Sequence, residues 1–195
     1  MEAADEITGI FKKKVTPKNT YVVYDCKIDN ASVTLNEITI YSVSLAKHLE
    51  GCHRAVLLAA TLGTNADVLI NKYSIQDMGK ALIAQKVCTA MIEAYLDETE
   101  KRIMQISELK ELSSVTRYSP GYGDFDIACQ KDILRLLNAS RIGLSLTEGF
   151  MLVPSKSVTA VIGLKKNEEK TAAGNAVPVK CAFCEYKNCG FREKI

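Results

Sequence analysis

The sequence predicts an α+β fold: a central antiparallel sheet, bent or mixed, flanked by helices, with one long buried helix and a cysteine-containing C-terminal tail. Three observations predict it. Runs rich in β-branched and aromatic residues, TYVVYDCKI, VTLNEITIYS, RAVLLAATL and VTAVIGL, have the length and composition of strands. From about residue 76 to residue 104 the polar side chains Gln85, Thr89, Glu93 and Asp97 recur every four residues on one stripe, which predicts a helix with a narrow wet face. At about 1.5 Å per residue that helix spans roughly 40 Å, the width of a domain of this size. Beyond Lys165 the composition turns polar and small, which predicts a first domain over 1–164 and a linker with a cysteine-rich tail over 165–195.

Along the chain, residues 5–14 predict a short amphipathic helix, broken by Pro17 and Asn19 before the first strand. The turn DNAS follows, and VTLNEITIYS continues in extended style. SLAKHLEG predicts a short helix with Ser42 or Ser44 as its cap and Gly51 as its stop. RAVLLAATL, residues 54–62, is a continuous apolar run, best buried on both faces, that ends at Gly63. After the long helix, residues 128–139 predict a second amphipathic helix, and FMLVP, SKS and VTAVIGL predict two strands around a turn. No internal repeat is present.

With 195 residues, 47% of them apolar, the chain is long enough for one substantial core. Its 25 basic and 23 acidic side chains leave a net charge of +2, and the longest basic run is three lysines at residues 12–14, so nucleic acid is not an expected partner. The apolar run at residues 55–63 falls far short of the roughly 20 residues a membrane helix needs. The opening MEAADEITGIF is acidic where a secretory signal is basic, so a soluble, cytoplasmic protein with no membrane partner is expected. Seven cysteines, an odd number, argue for reduced thiols over a disulfide framework.

The stretch RYSPGYGDF, residues 117–125, carries the most specific chemistry. Pro120 fixes one backbone angle, Gly121 permits a conformation closed to other residues, and Tyr122 re-emerges on the far side, which is how a chain brings its backbone close to a ligand. Arg117 offers a planar fork of donors suited to a carboxylate, and Tyr122 a flat ring suited to a cation or an aromatic base. S-adenosylmethionine has all three features. A plain turn has the same spacing.

RYSPGYGDF, a helix, and IGLSLTEGFMLVPSKSVTAVIGL together resemble the activation (reactivation) domain of cobalamin-dependent methionine synthase. In that family an R-x-x-P-G-Y loop precedes a helix, a T-E-S-F-like strand and a P-x-x-S-V-S-like turn. The resemblance runs from Arg117 to Leu164 and more loosely back through AATLG at residues 59–63, as in free-standing versions of the domain. It implies a protein that binds S-adenosylmethionine and presents the methyl group to a cobalamin on a separate methionine synthase polypeptide, an accessory component of a methyltransferase in methionine biosynthesis. In the family, the methyl group and one electron, from a donor such as flavodoxin or ferredoxin, restore methylcobalamin from cob(II)alamin. By this resemblance Arg117 grips the methionine carboxylate, the backbone of Tyr118, Ser119, Pro120 and Gly121 lines the adenine side, and Tyr122 stands near the reacting end. The chain lacks cobalamin-, folate- and homocysteine-binding modules, so the resemblance implies a partner. The tyrosine pair that full-length members carry after the last matched strand is missing from KNEEKTAAG, and neither Asp25 nor Asp29 is assigned the role of the family's N-terminal aspartate.

Cys181, Cys184 and Cys189 form C-x2-C-x4-C, three thiols within reach of one ion or cluster. An iron-sulfur cluster suits a reaction that consumes an electron, and zinc suits a stapled tail; either makes the alternative of a metal-bearing adaptor or electron-transfer module without a working nucleoside site. Cys52 and His53 are adjacent, yet sequence neighbours rarely face each other as nucleophile and base. Glu148 at a strand edge, and Asp124 and Asp126 just past the loop, are open to either turn-capping or ligand roles. Ser155, Lys156 and Ser157 are turn residues.

Overall fold

The computed structural model describes residues 2–166. The chain runs through α1 (Glu2–Lys14), β1 (Lys18–Asp29), β2 (Ser32–Leu35), β3 (Ile38–Tyr41), α2 (Val43–His48), β4 (Arg54–Thr61), α3 (Thr64–Gln76) and α4 (Met78–Met104). It continues through β5 (Leu112–Ser114), α5 (Gln130–Leu136), β6 (Ser145–Leu146), β7 (Leu152–Val153) and β8 (Ser157–Lys166). Six strands form one sheet in the order β3-β2-β1-β4-β8-β5, with every neighbouring pair antiparallel.

β4 lies at the centre, and every residue after Arg54 is buried, because helices cover both faces of the sheet. Its side chains alternate with the period of two that a strand imposes. Ala55, Leu57 and Ala59 pack with Leu45 and Leu49 of the α2 segment and Ile133 of α5; Val56, Leu58 and Ala60 pack with Phe11 of α1, Ile70 of α3 and Cys88, Ile92 and Leu96 of α4. Each large aliphatic buried this way contributes about 1.5–3 kcal/mol. The result is helices, sheet, helices, with two cores separated by the thickness of one sheet. No described helix is long and apolar enough to cross a membrane.

Most predicted elements appear where expected. VTLNEITIYS folds back on itself as the β2–β3 hairpin, turning at Asn36 with φ +50°, a left-handed conformation asparagine tolerates. Ser42 is the α2 cap, accepting from the Leu45 amide at 3.0 Å, and Gly51 follows the helix with φ +77°. The long helix begins at Met78, where Asp77 accepts from the Lys80 amide at 3.1 Å.

Three features differ from the sequence reading. α3 precedes α4 as a separate helix; only Ala66 and Ile70 of it are buried, too sparse an apolar stripe to stand out. α4 buries Ala81, Ala84, Cys88, Ile92, Leu96, Thr99 and Ile103 along one face, but Met78, Leu82 and Ala90 on the other sides are exposed, so its wet face is wider than the four-residue polar stripe. Apolar residue type alone did not distinguish small, tolerant side chains from buried ones. The strand before SKS, β7, pairs backward with β6 (Leu146↔Leu152) instead of with β8, and Pro154, which has no N–H, ends that ladder before the turn.

Candidate functional site

The 117–125 loop continues the β5 edge of the sheet. Tyr118 exchanges both main-chain hydrogen bonds with Val161 of β8, at 2.9 and 2.8 Å, and its ring joins the core on the α2 side. Successive side chains of an extended segment point to opposite faces, so Arg117 is aimed the other way, at α4. There its Nη1 donates to Glu100 at 2.5 Å, and its Nη2 to Glu93 at 2.9 Å and Asp97 at 2.8 Å. Residues 93, 97 and 100 are spaced i, i+4, i+7, which places three carboxylates on one side of a helix. The Arg117 side chain is only 9% exposed, while those of Glu93, Asp97 and Glu100 are 44%, 60% and 22% exposed. Burial alone depresses the Arg117 pKa, but the hydrogen bond to Asp97 and the interactions with Glu100 and Glu93 outweigh it, and the net shift is upward.

The turn itself is closed by its own backbone. The Gly121 amide donates to the Phe125 carbonyl at 2.7 Å, Tyr122 to Ser119 at 3.1 Å, and Phe125 to Tyr122 at 2.9 Å. The amides of Gly121 and Tyr122 are therefore engaged within the loop. Pro120 is buried, and Gly121 has φ +92°, a conformation that strains any other residue. Tyr118 is packed among rings, 4.9 Å from His48, 6.4 Å from Phe125 and 5.8 Å edge-on from Tyr122. Tyr122, 55% exposed, leaves this stack toward solvent. Desolvation and the Glu93 charge push its phenol pKa up, with Arg117 opposing. Arg117 and the carboxylates of Glu93, Asp97 and Glu100 thus form one electrostatic neighbourhood, negative overall, bordered by the exposed ring of Tyr122.

Asp124 and Asp126 both act as caps. Asp126 accepts from the Ala128 amide at 2.8 Å, at the tight turn Ile127–Cys129 that leads into α5. Asp124 caps not the following helix but α2, accepting from the Ser42 hydroxyl at 2.5 Å and the Val43 and Ser44 amides at 2.8 and 3.0 Å. The Ser42 hydroxyl, then these amides, hold its carboxyl well below the usual carboxylate range. Glu148 is exposed in the β6–β7 turn, Cys52 is buried, and His53 is exposed. Ser155 donates its amide to Asp67 of α3 at 2.9 Å, and the Ser157 hydroxyl pairs with Thr61 at 2.8 Å, so this turn is tied to the start of α3. A groove of about 250 Å³ lies beside it, lined by residues including Thr16, Lys18, Gly63, Asn65 and Pro154 and by none of residues 117–122.

Cys181, Cys184 and Cys189 lie outside the described residues, as does the KNEEKTAAG segment from its asparagine onward. Among the described residues no group of three potential ligands is placed to hold a metal ion. Cys26, Cys52, Cys88 and Cys129 are free thiols, and burial raises the pKa of each, to about 11 for Cys26 and Cys88. The sequence reading did not join α4 to Arg117. Glu93 and Asp97 stood out as part of a polar stripe, and Glu100, one turn further on, was the available signal that the stripe was acidic where it met the loop.

The family model described as vitamin B12 dependent methionine synthase, activation domain, matches residues 45–176. A crystal structure described as the MetH reactivation domain bound to AdoHcy is similar in fold, with a TM-score of 0.65 at 15% sequence identity, covering 87% of this chain. The chain spans 65% of the length of that neighbour. No curated protein matches it. The matched residues run from α2 through the central strand, the acidic helix, the Arg117 loop and β8, well over half of the sequence, and the chain belongs to the family of vitamin B12 dependent methionine synthase activation domains.

Proposed function

We propose that this protein binds S-adenosylmethionine between the 117–122 loop and α4, and presents the methyl group to a cobalamin held by a separate methionine synthase polypeptide. The observation that carries the reading is the placement of Arg117, a guanidinium sunk to 9% exposure at a negative cluster beside the half-exposed Tyr122. Membership of the activation-domain family, and the AdoHcy bound to the structural neighbour, support it.

The residues present fit such a ligand. One guanidinium among three carboxylates leaves an excess of negative charge, which favours the ligand's sulfonium and ammonium groups. Arg117 takes the methionine carboxylate by exchanging a partner, and Asp97, the most exposed of the three, is the one least costly to release. The main chain of Tyr118, Ser119, Pro120 and Gly121 lines the adenine side, and Tyr122 borders the reacting end, where its ring face favours a cation by about 0.5–2 kcal/mol. When bound, S-adenosylmethionine supplies an electrophilic methyl group, and the partner's cobalamin accepts it. This chain holds the donor still and keeps its charged end paired.

The test is reactivation in trans. A cobalamin-carrying methionine synthase polypeptide without an activation domain is allowed to oxidise, then supplied with this protein, S-adenosylmethionine and reduced flavodoxin or ferredoxin, and methylcobalamin is followed by absorbance. Recovery that needs both the protein and S-adenosylmethionine is expected. A spectrum that stays oxidised with all components present contradicts the proposal.

A further inference from the structure

Helix α2 grips the 117–125 loop at both of its ends. At the first, the Asp124 carboxylate takes the Ser42 hydroxyl at 2.5 Å and the Val43 and Ser44 amides at 2.8 and 3.0 Å. The same Ser42 oxygen accepts from the Leu45 amide at 3.0 Å, so the cap of the helix and the anchor of the loop are one network. At the other end, His48 Nε2 donates to the Thr116 carbonyl at 2.6 Å, and its ring lies 4.9 Å from that of Tyr118. Between the anchors the contact is too close for any side chain: a Cβ on Gly123 stands 2.8 Å from both the Ser44 and Tyr118 hydroxyl oxygens, and φ there is +55°.

Helix α2 therefore holds the segment at Thr116 and at Asp124, and between them the main chain is pinned to β8 only at Tyr118, which leaves residues 119–123 to be fixed by the Asp124 anchor and by the turn's own hydrogen bonds. α2 itself is fixed, since Leu45, Ala46 and the C-cap Leu49 are buried. A surface loop with this composition has many conformations of similar energy, and tying both ends to a buried helix removes most of them.

We propose that Asp124 is a positioning residue: with His48 it clamps the loop to α2, so that Arg117 and Tyr122 are pre-set in the arrangement S-adenosylmethionine uses. This rests on reading the loop as the ligand site. Asp124 touches α2 and not the ligand, and acts by lowering the entropy lost on binding.

The full chain is compared with Asp124→Ala, Asp124→Asn and His48→Ala by hydrogen exchange and by S-adenosylmethionine titration. Asp124→Ala is expected to speed exchange at the Gly121, Tyr122 and Phe125 amides and to weaken binding about five- to tenfold, with β4 and β8 amides unchanged. Asp124→Asn, which keeps an acceptor, recovers part of both effects. Should Asp124→Ala not fold, Asp124→Asn and His48→Ala carry the test in the same direction. Unchanged loop exchange and affinity in folded variants overturn the clamp, as does exchange that rises equally in β4 and β8. If the wild-type protein binds no S-adenosylmethionine yet the loop loosens selectively, the ligand reading fails and the clamp stands.

Discussion

Arg117 brings one positive charge to three negative ones, and its removal leaves Glu93, Asp97 and Glu100 facing each other across less than two helical turns. Arg117→Ala is expected to destabilise the fold by about 1–3 kcal/mol, less than a fully buried pair because the carboxylates are partly exposed. Urea denaturation measures it. Arg117→Lys keeps the charge but not the fork, and retains most of the stability while losing ligand affinity. Asp124 gives a pH prediction. Its pKa is depressed in the folded chain, so its contribution is fully present above the ordinary aspartate value of about 4 and is lost progressively as pH falls from there through the lower folded value. Asp124→Asn is expected to flatten the fall in urea midpoint below about pH 4 and leave the alkaline side unchanged. The loop itself was legible, because proline and glycine constrain backbone whatever surrounds them. The partners of Arg117 were not, because a contact between residues 93 and 117 depends on where α4 lies over the sheet, and no local pattern encodes that.

At the scale of elements, β8 packs against the α2 segment with no room to spare: a Cβ on Gly163 lies 2.6 Å from Cys52 Sγ and 2.7 Å from Leu49 Cδ2. Gly163→Ala is expected to cost about 1–3 kcal/mol, and Cys52→Ala in the same chain to recover part of it, read from the two melting midpoints. On the other face, Cys88 of α4 is fully buried and its thiol is pushed up to about 11, as is that of Cys26 in β1. Iodoacetamide at pH 8 is expected to leave both unmodified until denaturant is added, with mass spectrometry locating the label. Strands were readable where alternation or a continuous apolar run was strong, as in β1, β4 and β8. α3 was missed because two buried residues in thirteen make no period, and the β6–β7 pairing was missed because a proline sets where a ladder stops without saying which neighbour takes up the strand.

Over the whole molecule, one sheet separates two cores, and the candidate site is assembled at the sheet's edge from both: Arg117 reaches the α4 layer and Tyr118 the α2 layer. That division explains how a loop of ordinary composition is held on both sides. The α+β class was evident from the order of strands and helices, and the family from the ordered loop, helix, strand and turn between Arg117 and Leu164 together with AATLG at residues 59–63. The cysteine triplet at Cys181, Cys184 and Cys189 belongs to residues outside those described, and iron and zinc analysis of the anaerobically purified chain addresses it. The proposed function turns on Arg117 serving a bound sulfonium nucleoside. Calorimetric titration of the purified protein with S-adenosylmethionine should give saturable binding that Arg117→Ala abolishes while circular dichroism still reports a folded chain. Wild-type protein that takes up no S-adenosylmethionine, or an Arg117→Ala variant that binds it equally well, contradicts the account.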